Sequence, residues 1–224
     1  VDLDKKGATL TTIINVQAVS LDGYISSKKF ESDLERTKYG LSSELDQKRV
    51  HTLLVESTAV ITGSTSLISA GTTWQINNFE GHPVRWFVFT NKGLPETLPF
   101  WEETSPRVLV TSLQNGISLK HENFAASKGV EVFRYKTSPA LELYQHLKLK
   151  GMDKVLLFGG GQINQMFLDA KLVSRLEITL CPALLASSLA SKYIEPTLEE
   201  KIQLRLVTSQ AHGDHVFLTY DVLY

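Results

Sequence analysis

Cysteine is nearly absent: the 224-residue chain carries one, Cys181. A lone thiol closes no internal disulfide and builds no multi-cysteine metal site. Excess charge is missing too, with 23 Lys+Arg against 24 Asp+Glu and a formal net charge of −1. That balance argues against a protein held to nucleic acid or anionic lipid by bulk electrostatics. No apolar run approaches the ~18–20 residues of a membrane span, and the opening VDLDKKGATL lacks the apolar stretch of a secretory leader. The G-x-S-x-G, H-E-x-x-H and Walker patterns are also missing. What these absences leave is the expectation of a soluble, cytoplasmic globular protein with neither a nucleic-acid nor a membrane partner.

At roughly 150 residues per domain, the length fits one large or two small domains, and the chain is long enough to bury a core without staples. No repeat, low-complexity tract or linker divides it. One domain over residues 1–224 is expected, with residues 1–11 loosely attached.

Strand and helix signals alternate. Thr12 to Ser20 (TIINVQAVS) is rich in β-branched residues and runs into the turn signal Leu21-Asp22-Gly23. Lys28 to Tyr39 is charged and poor in aliphatics and reads as a solvated loop. Ser43 can cap a helix whose apolar side holds Leu45, Val50, Leu53 and Leu54. Ser57–Thr62 reads as a strand and Ser64–Ser69 as a short helix, with a loop over Gly71–Pro83. Val84–Thr90, Arg107–Thr111 and Val130–Arg134 read as further strands. Ser138-Pro139 opens a helix to about Lys150, with Ser138 as its cap. Lys154–Phe158 (KVLLF) reads as a strand buried on both faces. Ile163, Met166, Phe167 and Ala170 then recur at helical spacing. Arg175–Cys181 is a strand, and Lys201–Gln210 with Val216–Tyr224 forms a hairpin turned at residues 211–214. The fold class expected is α/β: a mixed, mostly parallel sheet flanked by helices, closed by a C-terminal antiparallel hairpin.

The strongest chemical signal is Phe158-Gly159-Gly160-Gly161-Gln162-Ile163-Asn164, between a buried strand and an amphipathic helix. Glycines let the main chain approach a ligand, and the free N–H groups of a helix start favour an anion such as a phosphate or pyrophosphate. The spacing is not G-x-G-x-x-G, so the common dinucleotide fold is not indicated. A tight turn without a ligand is the competing reading. Ile61-Thr62-Gly63-Ser64-Thr65-Ser66 is a second strand-to-helix junction, with hydroxyls beside its glycine. Two such junctions fit a dinucleotide whose pyrophosphate lies between them.

Thr90, Asn91 and Lys92 combine a hydroxyl, an amide and a cation at a strand end, which suits a 2′-phosphate and so NADPH over NADH; a solvated turn explains them equally. Around Gln17-Ala18-Val19-Ser20-Leu21-Asp22-Gly23-Tyr24-Ile25, Ala18 is small enough to admit a flat ring, while Ser20 and Asp22 are polar groups at a strand exit. The scattered histidines, including His212 and His215 beside Asp214, form no convincing ligand set, and no metal is expected.

Taken in order, NVQAVSLDGYIS, SSELDQKRVH, AVITGSTS, LLFGGGQINQMFLDAKLVSRL and CPALL resemble the reductase domain of bacterial riboflavin biosynthesis, from about Ile13 to Tyr220. The resemblance implies a dihydrofolate-reductase-like fold and NADPH-dependent reduction of the ribosylamino group of a pyrimidine 5′-phosphate, by a protein that is commonly a homodimer. Carried over, Thr62, Gly63, Ser64, Thr65 and the stretch Gly159, Gly160, Gly161, Gln162, Ile163 would hold the pyrophosphate. Thr90, Asn91 and Lys92 would take the 2′-phosphate, and Ala18 and Ile25 would flank the nicotinamide. Ser20 and Asp22 would face the substrate, Asp22 as acid or anchor. Lys28, Lys29, Arg36, Lys38 and Arg49 are candidates for a sugar phosphate.

This chain departs from that pattern in three places. Gly159 stands where these reductases usually carry Glu, an Asp-Pro after the Gly63 junction is absent, and so is an arginine near Leu54. The triple-glycine form occurs in relatives described as dihydrofolate reductases. A dihydrofolate-type, carbonyl or imine reductase and a non-catalytic nucleotide-binding protein are therefore the alternatives.

Overall fold

A computed structural model of the chain describes residues 10–224. Its elements in order are β1 (Thr12–Ser20), β2 (Tyr24–Ser26), α1 (Asp33–Lys38), α2 (Glu44–Val55), β3 (Ala59–Gly63), α3 (Ser64–Ala70), β4 (Arg85–Phe89), a 3₁₀ turn (Pro99–Glu102) and β5 (Arg107–Ser112). Then follow α4 (Leu119–Ser127), β6 (Glu131–Tyr135), α5 (Pro139–Leu149), β7 (Lys154–Gly159), α6 (Gly161–Asp169), β8 (Val173–Cys181), β9 (Ser191–Lys192), β10 (Gln203–His212) and β11 (His215–Leu223).

Nine strands form one sheet in the order β10-β11-β8-β1-β7-β3-β4-β5-β6, and β2 pairs separately with β9. From β8 to β6 every neighbouring pair is parallel, while β11 runs antiparallel to β8 and to β10. This is the mixed, mostly parallel sheet with a terminal hairpin that the residue pattern indicates.

Both faces of the parallel part are covered, which is why its strands read as nearly unbroken apolar runs. On one face, Leu143 and Leu147 of α5 and Phe167 of α6 pack with Ile13, Ile61, Phe87 and Leu157. On the other, Leu54 of α2 meets Ile14, Val60, Trp86 and Leu156. Leu67 of α3, Trp101 and Ala125 of α4 continue that layer over Val88 and Leu109. Each fully buried Leu or Phe in these layers contributes about 1.5–3 kcal/mol. No helix among the described residues is long and apolar enough to cross a membrane.

Three local expectations differ from the structure. Within Lys28–Tyr39, α1 is a helix rather than a loop: Ser32 and Glu35 form a capping box, and none of its residues is buried. The α4 helix, in a stretch assigned no element from sequence, buries only Ala125, so it shows almost no apolar stripe. Ser138 does not cap α5 with its side chain; Glu142 reaches back and accepts the N–H groups of Lys136, Thr137 and Ser138, each at 2.9 Å. Residues 1–9, most of the stretch expected to be loosely attached, lie outside the described residues. Thr11 is buried, and its carbonyl accepts the Tyr144 hydroxyl at 3.3 Å.

Candidate active site

Because the strands from β8 to β6 are parallel, their carboxyl ends share one edge. Cys181, Ser20, Gly159, Gly63, Thr90 and Ser112 follow one another along it. The three strand spacings from β1 to β4 cover roughly 14 Å at about 4.8 Å each. In this sheet β7 lies between β1 and β3, and the helices following β1 and β7 pack on opposite faces. A crevice opens outside the carboxyl ends at such a reversal, where α/β sheets bind ligands.

The two glycine junctions meet in that crevice. Thr62 pairs with Gly159, and a Cβ on Gly63 would lie 3.5 Å from the Gly159 carbonyl and 3.3 Å from the Ile163 side chain. Gly63 and Gly160 are the N-caps of α3 and α6, and no side chain among the described residues caps either helix. In contrast, Ser32, Ser43 and Ser118 cap α1, α2 and α4. The first N–H groups of α3 and α6 are thus left for another acceptor. Gly159 and Gly160 have φ of 69° and 41°. A Cβ at Gly159 would overlap the Asn164 carboxamide, whereas at Gly160 the nearest atom would be Ser66 Oγ at 3.7 Å. One glycine makes room for the protein and the other leaves room beside the crevice. Ser64 is half-buried and Thr65 exposed, with their hydroxyls on the same junction.

At the β4 end, Thr90 is buried and donates its hydroxyl to the Gly93 carbonyl at 2.9 Å. Asn91 is turned toward β5 and β6: its Oδ1 accepts Ser112 N–H at 2.8 Å and its Nδ2 donates to the Tyr135 hydroxyl at 3.1 Å. Thr90 and Asn91 therefore hold the edge together; Asn91 and Lys92 are both exposed, and Lys92 is the cation of the trio.

At the β1 end, the Ser20 hydroxyl donates to Asp22 Oδ1 at 2.6 Å and accepts the Tyr24 N–H at 2.9 Å. Asp22 also accepts Ala186 N–H at 2.8 Å and Leu185 N–H at 3.0 Å. The Ser20 hydroxyl, then the Ala186 N–H, hold the Asp22 carboxyl below the usual carboxylate range. Asp22 stays ionised and ties residues 185–186 to the β1 exit, an anchoring arrangement unsuited to proton donation near neutral pH. Ala18 and Ile25 are buried, Ala18 among Leu41, Cys181 and Leu185. Burial pushes the Cys181 thiol up to about 12, so it is inert.

The cations divide. Arg36 donates to the Ile25 carbonyl at 2.7 Å and Lys28 pairs with Glu35 at 2.5 Å, so both stay beside the β2 segment. Lys29 and Lys38 are exposed. Arg49 is a different case. It pairs with the buried Glu177 at 2.5 Å, donates to the Ile178 carbonyl at 3.0 Å and stacks over Phe217. Its guanidinium is occupied by the β8–β11 region, which removes it from the sugar-phosphate candidates.

Sequence reading missed a buried polar cluster under the glycine turn. Asn15 and Asn164 are fully buried; Asn15 Nδ2 donates to Asn164 Oδ1 and to the Leu157 carbonyl, both at 2.9 Å. Tyr193, just after β9, donates its hydroxyl to Asn15 Oδ1 at 2.5 Å. The one available signal is an asparagine between aliphatic neighbours in β1 and another on the apolar side of α6; nothing local marks Tyr193.

An open, mostly parallel sheet with a reversal crevice, two glycine helix starts and a terminal hairpin makes up a dihydrofolate-reductase-like α/β fold. In agreement, a dihydrofolate reductase from Enterococcus faecalis superposes with a TM-score of 0.51 at 11% identity, over 94% of this chain and 96% of that one. A pyrimidine reductase-like protein from Corynebacterium diphtheriae superposes with a TM-score of 0.77 at 14% identity, over 96% and 92%.

Residues 11–218 match the model of the RibD C-terminal domain, and the chain belongs to that family. The chloroplastic riboflavin biosynthesis protein PYRR of Arabidopsis thaliana is 25% identical over 174 residues, which are 77% of this chain and 28% of that protein. The chain thus spans under a third of the length of that curated relative.

Proposed function

We propose that this chain is an NADPH-dependent reductase acting on a small molecule, a pyrimidine bearing a ribosylamino 5′-phosphate, and that it works as a single-domain cytoplasmic homodimer. The observation that carries the reading is the meeting of two helix starts without side-chain caps, at Gly63 and Gly160, across the β3–β7 pair in a member of the RibD C-terminal domain family. The donor set fits the cofactor: main-chain N–H groups, the Ser64 and Thr65 hydroxyls and an open Gly160 suit a pyrophosphate. Lys92, with Thr90 and Asn91 shaping its turn, suits a 2′-phosphate. Ala18 and Ile25 lie at the β1 end, where the nicotinamide would sit.

When bound, NADPH supplies a hydride for an electrophilic C=O or C=N carbon. The protein's part is orientation and exclusion of water. Ser20 and Asp22 shape the substrate end, Asp22 as an ionised anchor whose bonds to residues 185–186 hold the wall there. Lys29 and Lys38, exposed on the segment that contains α1, are the cations there left open to a phosphate.

The homodimer reading is supported by β10, an edge strand exposed over nearly all its length, with Leu204, Leu206 and Val207 open to solvent. Edges of this kind are normally covered or paired.

A second reading, reduction of dihydrofolate or another small carbonyl or imine, is favoured by one observation. Gly159 has no room for the glutamate that the resemblance to riboflavin-pathway reductases makes usual there. Turnover assays with NADPH separate the two. Oxidation of NADPH with the ribosylaminopyrimidine phosphate and not with dihydrofolate supports the first, and the reverse replaces it with the second. NADPH binding without turnover of either substrate or of a carbonyl panel would leave a nucleotide-binding protein that is not an enzyme.

A further inference from the structure

Tyr193 stands between the turn that follows β1 and the glycine turn that follows β7. Its hydroxyl donates to Asn15, Asn15 donates to Asn164 Oδ1, and Asn164 Nδ2 returns to the Tyr193 carbonyl at 2.9 Å, closing a ring of hydrogen bonds. Asn164 in turn fills the space beside Gly159, and so holds the glycine turn from behind. The Tyr193 N–H donates to the Gly23 carbonyl at 3.0 Å, directly behind Asp22. Two residues on, Glu195 N–H donates to the Gly161 carbonyl at 3.2 Å, and the Lys192 carbonyl lies against Gly161 where a side chain would go. Residues 191–195 thus form a strap fastened to β2 and the Gly23 turn on one side and to the first residue of α6 on the other.

A ring of this kind, in which every member is satisfied inside a low-dielectric interior, selects one geometry; removing any member leaves its neighbours unpaired. Apolar packing alone would hold the same segments without fixing the direction of the glycine-turn N–H groups.

We propose that Tyr193 is a positioning residue: through Asn15 and Asn164 it sets the Gly159–Gly161 turn for the cofactor, while its main chain holds the Asp22–Gly23 turn. The proposal rests on reading that turn as the cofactor site. The role is separable from the main-chain one, because Tyr193→Phe removes a single oxygen and keeps the N–H to Gly23.

The test compares wild type, Tyr193→Phe and Asn164→Ala in two measurements: the dissociation constant for NADPH by fluorescence titration, and hydrogen exchange at residues 159–164 in the cofactor-free protein. The expected result for Tyr193→Phe is about tenfold weaker NADPH binding, the scale of one lost buried hydrogen bond. Faster exchange at residues 159–164 and unchanged exchange in β3 to β5 should accompany it, with a larger effect for Asn164→Ala. A folded Tyr193→Phe protein with wild-type affinity and wild-type exchange overturns the proposal. Uniformly faster exchange across the sheet also overturns it, since that is a general loss of stability. Should Asn164→Ala fail to fold, Tyr193→Phe alone decides. Should the wild type bind no NADPH, the reductase reading falls, and the exchange at the turn still supports or overturns the positioning role.

Discussion

The Asn164 carboxamide occupies the place that a side chain on Gly159 would need, and Gly159 itself holds φ at 69°. Gly159→Glu therefore cannot place a carboxylate at this turn without displacing Asn164. It imposes a left-handed backbone on a bulky residue and expels Asn164 from its bonds. The expected cost is at least ~2 kcal/mol of unfolding free energy, read as a lowered denaturant midpoint, with NADPH binding lost.

Gly160 predicts a different kind of loss. A methyl there meets nothing nearer than Ser66 Oγ at 3.7 Å and faces the side left open for a ligand. Gly160→Ala should cost the backbone strain of φ 41° with ψ 160°, a conformation largely confined to glycine and worth up to about 3 kcal/mol, displace no packed side chain, and weaken NADPH binding tenfold or more. Hydrogen exchange at Asn15 and Asn164 beside a cofactor titration distinguishes the two glycines, because only Gly159→Glu should loosen that buried cluster. Equal behaviour of the two variants in both assays would contradict the assignment.

Asp22→Asn tests the anchor. An amide cannot accept from Ser20, Leu185 and Ala186 as a carboxylate does, so the wall at the β1 exit loosens. Turnover should fall at least tenfold, with NADPH affinity within about threefold of wild type. Since its hydrogen bonds keep Asp22 ionised, no part of the rate profile between about pH 5 and pH 9 should trace to its titration. A variant with undiminished turnover would remove Asp22 from the site.

Arg49→Ala should be a stability variant and not a binding one. It leaves Glu177, 9% exposed, with its Thr219 hydrogen bond but no cation. The expected loss is about 3 kcal/mol, and Arg49→Lys should recover less than half of it, because lysine lacks the fork that reaches Glu177 and the Ile178 carbonyl together. NADPH affinity should not change in variants that remain folded.

Acid should weaken the fold in two steps. His121 accepts the Leu94 N–H on Nε2 at 3.1 Å, and burial lowers its pKa from the ordinary 6.5; burial, then Lys150, lowers that of His146. The folded protein thus binds fewer protons than the unfolded chain near pH 6, and stability rises with pH there. This contribution is complete above about pH 6.5 and is lost as pH falls through the folded-state values. Glu142, held at about 2 against its ordinary 4.5 by three backbone N–H groups, adds a loss between those two values. Urea midpoints between pH 8 and pH 3 would show the first step shrinking in His121→Gln, whose amide oxygen can still accept.

Much of the architecture is legible in the residues because its strands are buried on both faces. KVLLF and VRWFVF carry their own signal, and Ser43 caps α2 as its neighbours suggest. Short surface helices are less legible: α1 depends on its capping box and α4 on one buried alanine. At the site, the glycine junctions stand out because they combine an apolar strand, a turn and a helix start. The roles of Asn91 and Arg49 do not, since partners 20 to 169 positions away decide them. Tyr193 sits 178 positions from Asn15, a distance no local pattern spans.

A crystal structure of the protein with NADPH tests the central claim most directly. The account predicts the pyrophosphate between the N–H groups following Gly63 and those following Gly160, with the nicotinamide toward Ala18 and the 2′-phosphate near Lys92. NADPH bound elsewhere, or both helix starts left vacant in a saturated crystal, would contradict it.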